Sequence, residues 1–147
     1  MRIHPTTVET SLHPALVQAY LETDYCVRVA DGLVLRCGEY SSALAATHRR
    51  LGVESSAFVT AWNPYSRLHD DDRNALAQAA LARALGLRGL RYLQGVGQHP
   101  GSTWPGEESF LVLGIDRDAA CALAAEYQQN AFVWCGPSAV PELVLLR

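Results

Sequence analysis

The order of apolar segments after residue 56 is the feature that most limits how this chain can fold. Short β-type runs alternate with longer segments of helical periodicity, and glycine or proline marks most boundaries. The predicted order is strand (57–62), helix (70–86 or 89), strand (90–93), strand (109–115), helix (116–129), strand (131–135) and strand (143–146). Two successive strand–helix–strand units predict an α+β fold with a mixed or antiparallel sheet, of the split-βαβ or ferredoxin-like type.

The N-terminal part of the chain adds a helix, a hairpin and a second helix to this pattern. Apolar side chains at helical spacing predict a helix over residues 14–22. Asp31-Gly32 between two β-type runs predicts a β-hairpin. A second helix then runs to about residue 51, with Ser41 or Ser42 as its cap. We expect these elements to extend or cover the sheet, and the helices to pack mainly on one of its faces.

The length and composition of the chain fit one folded domain. It has 147 residues, of which 49% are hydrophobic and 18% charged. We therefore expect a single domain over residues 1–147, in which residues 1–55 extend a core formed by residues 56–147. The apolar side chains expected in the interior are Phe58, Leu81, Leu85, Phe110, Val112, Leu123, Phe132 and Val144.

The charge pattern argues against two classes of partner. The formal net charge is -3 and the 12 basic residues are scattered, so the chain lacks the basic patch of a nucleic-acid-binding surface. The N-terminal sequence does not resemble a signal peptide, and no apolar run approaches the roughly 20 residues that span a bilayer. We expect a cytoplasmic protein that binds neither nucleic acid nor membrane.

Neither the cysteines nor the histidines have the spacing of metal ligands. Cys26, Cys37, Cys121 and Cys135 are too far apart for a Cys-x-x-Cys pair. In a reducing compartment we expect all four to be free thiols. The five histidines form no His-x-His or His-x-x-x-His pair. The sequence therefore predicts neither a bound metal nor a cofactor.

The first of two polar loops follows the strand predicted at residues 57–62. Asn63 precedes Pro64, a pair that builds a turn whatever else it does. The side chain of Asn63 also offers a hydrogen-bond donor and an acceptor. The planar guanidinium group of Arg67 can form two parallel hydrogen bonds to a carboxylate or phosphate. With the hydroxyl group of Ser66, these side chains are candidate ligand-binding residues.

The second polar loop, expected at residues 95–108, is rich in glycine and proline. Gly95-x-Gly97 is only a fragment of a phosphate-binding loop, because it lacks the third glycine and no helix follows it. Trp104 can act as a lid or stacking platform, and His99 can carry protons. Because the two loops flank one helix, we expect them to meet at one end of the sheet and to form a site.

Glu107 and Glu108 lead from this loop into the next predicted strand. Successive strand residues face opposite sides of a sheet, so only one of these carboxylates can point into a shared site. Burial there would raise its pKa and make it a general acid or base beside His99. Matching strand ends favour Glu108 as the partner of the first loop. Asn130, between a helix and a strand, can add a polar group at the sheet edge.

Three segments of the chain together resemble a bacterial family. They are FVTAWNPYS (58–66), EESFLVLGI (107–115), and QNAFVW (129–134) with the closing PELVLL (141–146). Over residues 57–147 the chain is similar to DUF family 3293, a domain of unknown function. The resemblance implies a small bacterial cytoplasmic domain and assigns no activity.

Three functional hypotheses follow from these residues. The first is a binding or regulatory module, whose pocket between loops 63–67 and 95–108 takes a small polar ligand or a peptide. The second is an enzyme of hydrolase or transferase type that uses Glu107 or Glu108 with His99. The third is an immunity-like factor that acts on a protein partner through its surface. Geometry separates the first two, because catalysis requires a carboxylate, His99 and Asn63 around one cleft.

Overall fold

The computed structural model describes residues 9–147, which contain four α-helices and seven β-strands. The helices are α1 (Pro14–Leu21), α2 (Ser42–Leu51), α3 (Asp71–Leu87) and α4 (Arg117–Glu126). The strands are β1 (Asp24–Val27), β2 (Leu33–Leu35), β3 (Ser56–Val59), β4 (Tyr92–Gln98), β5 (Glu107–Leu113), β6 (Ala131–Cys135) and β7 (Pro141–Leu145). None of the helices in this part of the chain is both long enough and apolar enough to cross a membrane.

All seven strands form one antiparallel sheet in the order β2-β1-β4-β5-β3-β6-β7. Each strand–helix–strand unit encloses one strand of the other unit, since β5 lies between β3 and β4, and β3 lies between β5 and β6. The sheet is curled. The amide of Gly38, after β2, donates to the carbonyl of Pro141 at 2.8 Å, so the segment that follows one edge strand meets the start of the other, β7. The α+β class and the antiparallel sheet predicted from the sequence are confirmed.

The predicted helix boundaries rest on capping side chains that the structure places as expected. Ser41 Oγ accepts a hydrogen bond from the amide of Leu44 at 3.0 Å, and Gly52 ends α2 in the left-handed conformation. Asp70 and Asp116 cap α3 and α4 in the same way as Ser41 caps α2. These ends are local features of the sequence, which is why the helices could be predicted closely.

Two hydrophobic clusters cover the two faces of the sheet. The first joins α3 and α4 to the sheet around Phe110, and the second joins α2 to the opposite face around Phe58. All eight side chains expected in the interior are buried. The expectation that the helices lie mainly on one face is wrong, because α2 packs against the face opposite to α3 and α4. The second face must also be buried, because β3 and β5 carry apolar side chains on both sides of the sheet.

The predicted glycine loop is partly a strand. β4 continues through Gly95 and Gly97, which pair with β1 on one side and with β5 on the other. The loop between β4 and β5 therefore spans only residues 99–106, and β5 begins at Glu107. Hydrogen bonds to two neighbouring strands stabilise this segment although glycine has a low preference for strands. Through the same pairing, β1 and β2 extend the sheet as expected.

Candidate functional site

A cavity of about 380 Å³ lies at one end of the sheet. One wall is formed by α1, and another by the loop between β4 and β5. Between them lie the side chains of Tyr25 and Phe58, whose rings pack edge to face with centroids 5.2 Å apart. Most of the exposed surface of the lining is apolar, although half of the lining residues have polar side chains, which come from several elements. A concave apolar site with few polar groups is typical of small-molecule binding.

Among the described residues that line the cavity, Glu107 is the one carboxylate. Its Oε2 atom accepts hydrogen bonds from Asn63 Nδ2 at 2.9 Å and from Trp104 Nε1 at 3.0 Å. Burial raises the pKa of Glu107, and the hydrogen bonds from Asn63 and Trp104 oppose that rise. The residue is therefore a fixed, largely desolvated acid at the edge of the cavity.

Asn63 positions Glu107 and does not line the cavity. Its side chain is 2% exposed, and its Oδ1 atom accepts from the amide of His69 at 3.0 Å and from Asn74 Nδ2 at 2.8 Å. The backbone amide of Asn63 donates to Asn74 Oδ1 at 2.8 Å. All polar groups of the side chain are thus engaged within the protein. The expectation that Asn63 binds a ligand directly is corrected accordingly, since it acts on the cavity through the carboxylate that it holds.

Ser66 and Asn130 do line the cavity, together with Tyr20 of α1. The hydroxyl groups of Ser66 and Tyr20 are hydrogen bonded to each other, and Asn130 Nδ2 donates to them at 3.3 and 3.1 Å. Tyr65 and Ser66 have φ values of 55° and 58°, in the left-handed region that residues other than glycine rarely adopt. This strained turn is what brings the Ser66 hydroxyl group to Tyr20.

His99 lies at the cavity and connects the β4–β5 loop to the end of α1. Its Nε2 atom is 3.2 Å from Glu22 Oε1. In the described part of the chain, no hydrogen bond joins His99 to Glu107 or to Ser66. Ser66 and His99 consequently do not form a nucleophile–base pair, and Glu107 and His99 share the cavity without direct contact.

The structure places two of the candidate residues away from the cavity. Glu108 lies on the opposite face of β5, where its Oε1 atom is 3.2 Å from Arg28 Nη2 and its side chain is 42% exposed. Arg67 is exposed and does not line the cavity. Of the two carboxylates, Glu107 is therefore the one in the site, and the preference for Glu108 is wrong. The two carboxylates do face opposite sides of the sheet, as strand alternation predicts.

No sequence pattern predicted that an N-terminal helix forms one wall of the cavity. Leu16, Ala19 and Tyr20 of α1 line the cavity, although α1 precedes the sheet in the chain. Tyr20 contacts Asn130, which lies 110 residues away in the sequence. No local pattern encodes a contact at such a separation, so only the folded chain reveals it.

The arrangement supplies groups for binding and none for holding a metal. Within residues 9–147, no group of three or more His, Cys, Asp and Glu side chains could ligate an ion. The site instead combines aromatic walls, a hydroxyl and amide cluster around Tyr20, and the Glu107 carboxylate. These groups can orient an organic molecule by hydrogen bonds while burying its apolar part.

Comparison with known proteins adds a family to this description. No curated protein and no solved structure matches the chain. The sequence model of a family described as "Protein of unknown function (DUF3293)" matches residues 59–132, which is half of the chain. The matched segment contains Ser66, Trp104, Glu107 and Asn130. The chain therefore belongs to the DUF3293 family of proteins of unknown function.

Proposed function

We propose that the protein binds a small organic molecule in the cavity between α1 and the sheet. The observation that carries this proposal is the combination of a cavity of about 380 Å³, whose surface is largely apolar, with a half-buried carboxylate, Glu107, at its edge. Ligand sites typically have volumes of about 300–1,000 Å³ and few polar groups, and a cavity at the lower end of this range suits a compact ligand.

The polar groups of the site support binding more strongly than they support catalysis. Ser66 and Tyr20 hydrogen bond to each other and to Asn130, so none of them is activated by a base. Such a cluster can exchange one internal bond for a bond to a ligand. The strained φ value of Ser66 fits a residue retained for a site and not for stability.

The test is a fragment screen that compares the wild-type protein with a variant whose cavity is filled. Ala19 of α1 lines the cavity, whereas Ala15 of the same helix is exposed and does not line it. Saturation-transfer difference NMR with a library of single-ring compounds should give binders of the wild type that Ala19→Phe abolishes and Ala15→Phe retains. Binders that are insensitive to Ala19→Phe, or the absence of binders at millimolar concentration, would contradict the proposal.

A second candidate function is acid–base catalysis by Glu107 with His99 as a proton carrier. Burial raises the pKa of Glu107, and His99 lines the same cavity, which are features of enzymatic acid–base pairs. The test is a panel of 4-nitrophenyl esters, phosphates and glycosides. Turnover that is lost in Glu107→Gln and kept in Glu108→Gln would support catalysis, and turnover that both variants keep would reject it.

For the core of the fold we propose the ferredoxin-like arrangement predicted from the sequence. The strand order β4-β5-β3-β6, with α3 and α4 on one face, supports this assignment. Superposition of an experimental structure on ferredoxin-like proteins would test it, and a different connection between the four strands would reject it.

A further inference from the structure

The two oxygens of Glu107 differ in their surroundings. Oε2 accepts two hydrogen bonds, from Asn63 and Trp104, whereas Oε1 accepts none from the residues that the structure describes. An ionised carboxylate can accept about four hydrogen bonds, so Oε1 keeps free acceptor capacity. Oε1 is not fully buried, since Gln78 Nε2 is the one fully buried side-chain nitrogen or oxygen without a partner among the described residues. Because Glu107 lines the cavity, Oε1 is an acceptor that a bound molecule can reach. The protein thus fixes Oε2 by two hydrogen bonds, and Oε1 is free to accept a hydrogen bond from a ligand.

Among the described residues, no positive side chain pairs with this carboxylate. Glu107 has no ion-pair partner among residues 9–147, and no arginine lines the cavity. The chain has no lysine, so arginine and histidine are its only basic side chains. His99 is the one basic side chain in the described lining, and its Nε2 atom lies 3.2 Å from Glu22 Oε1. An unpaired carboxylate in a desolvated site takes up either a proton or an external cation.

Five aromatic side chains among the described residues also line the cavity, namely Tyr20, Tyr25, Phe58, Trp104 and Phe132. The face of an aromatic ring carries negative potential, and a cation over such a face is stabilised, more so when water is excluded. A cation that stacks on one of these rings would therefore be stabilised by the ring as well as by the carboxylate. An anion would be repelled by the carboxylate, and no arginine among the described residues lines the cavity.

We infer that the ligand is an organic ammonium ion, whose N–H group donates to Glu107 Oε1 and whose apolar body packs against Tyr25 and Phe58. This inference rests on the proposed function and names its ligand class. The cavity volume of about 380 Å³ limits the body to roughly one ring or a chain of similar size.

Three matched probes test the charge of the ligand. Benzylamine, benzyl alcohol and benzoate share one ring and differ in whether the head group is positive, neutral or negative at pH 7. Binding to isotope-labelled protein can be followed by NMR through the indole N–H of Trp104, which donates to Glu107. We expect benzylamine to bind about tenfold more tightly than benzyl alcohol, as one charge-assisted hydrogen bond would provide. Benzoate should bind most weakly.

Adjacent glutamates in β5 supply the control. Glu107→Gln keeps an oxygen acceptor for Asn63 and Trp104 but removes the charge, so benzylamine should bind it no more tightly than benzyl alcohol. Glu108→Gln, on the other face of the strand, should retain the full preference. If benzyl alcohol or benzoate binds as tightly as benzylamine or more tightly, and Ala19→Phe abolishes that binding, the ammonium assignment is wrong. The cavity would then still be a binding site. Failure of all three probes to bind the cavity would overturn both.

Discussion

The ring of Phe58 in β3 occupies the space that a side chain on Gly95 in β4 would need. A Cβ atom on Gly95 would lie 2.8 Å from Phe58 Cε2 and 2.6 Å from the carbonyl oxygen of Cys26. Both distances are shorter than ordinary contacts between heavy atoms. Because Gly95 has no side chain, the ring of Phe58, which lines the cavity, packs directly against the backbone of β4. Its role is in packing, although its sequence context resembles a binding loop.

Gly95→Ala should lower the free energy of unfolding by about 1–3 kcal/mol, because an inserted methyl group must displace backbone or an aromatic ring. Gly97→Ala is the matched control, since a Cβ atom there would have no neighbour nearer than 3.9 Å. Urea denaturation of both variants measures the difference. Equal losses in the two variants would show that Phe58 does not lie over Gly95.

Phe110→Ala should cost about 3–5 kcal/mol of unfolding free energy, because it leaves a cavity beneath α3 and α4. The side chain is 4% exposed and its ring centroid lies 4.3 Å from that of Tyr92. Leu76→Ala, at a position on α3 that is 73% exposed, should change the unfolding free energy by less than about 0.5 kcal/mol. Similar effects of the two substitutions would contradict the register of β5.

The parts of the fold that could be predicted are those with local signals. Ser41, Asp70 and Asp116 mark helix starts by themselves, and short continuous apolar runs mark β3 and β6. The ends of β4 and β5 could not be predicted, because Gly95 and Gly97 form a strand only through pairing with neighbours on both sides. The predicted loop therefore includes residues that belong to β4 and β5.

The residues that line the cavity could be predicted only in part, for the same reason. Strand alternation implies that the side chains of Glu107 and Glu108 lie on opposite faces of the sheet. Which of the two lines the cavity depends on the face against which α1 packs. That packing is a tertiary contact, in which Tyr20 of α1 hydrogen bonds to Ser66 and Asn130. Asn63 was identified as important from its turn, yet its engagement with Asn74 needs the start of α3 to approach the end of β3.

Asn63→Ala should lower the unfolding free energy by at least about 2 kcal/mol, since it leaves several buried donors and acceptors without partners. Alanine also disfavours the φ value of 46° found at Asn63. Asn63→Gly removes the same hydrogen bonds but tolerates that φ value, so it should be less destabilised than the alanine variant. Thermal and urea denaturation compare the two. A stable Asn63→Ala protein would contradict the role of Asn63 in positioning Glu107.

Glu107→Gln should gain stability relative to the wild type as the pH rises. Burial raises the pKa of Glu107 in the folded state, so folding favours the protonated acid. That contribution is fully present below the unfolded pKa of about 4.3 and is lost as the pH rises through the folded value. Glutamine stays neutral throughout. The unfolding free energy of the variant minus that of the wild type should therefore increase between about pH 4 and pH 7. A constant or falling difference would contradict the prediction.

Thiol titration should find four free cysteines after denaturation without reductant, because all four are unbridged in the structure. Burial raises the pKa of Cys37 to about 11 and that of Cys135 to about 12. Both should react slowly with a disulfide reagent in the native protein, since the thiolate is the reactive form. Cys37→Ser and Cys135→Ser should each remove one slow phase. Two titratable thiols would mean that a disulfide forms.

The residues that line the cavity come from separate parts of the sequence. Trp104 and Glu107 lie in the segment that matches the family, whereas Leu16 and Ala19 lie on α1, outside that segment. α1 has eight residues, buries none of them fully, and is joined to the rest of the molecule largely through polar side chains. Substitutions in this helix can therefore change the size and shape that the cavity accepts while the sheet and its carboxylate stay intact. The two parts of the lining can consequently be altered independently, the helical wall by substitutions in α1 and the carboxylate by substitutions in β5.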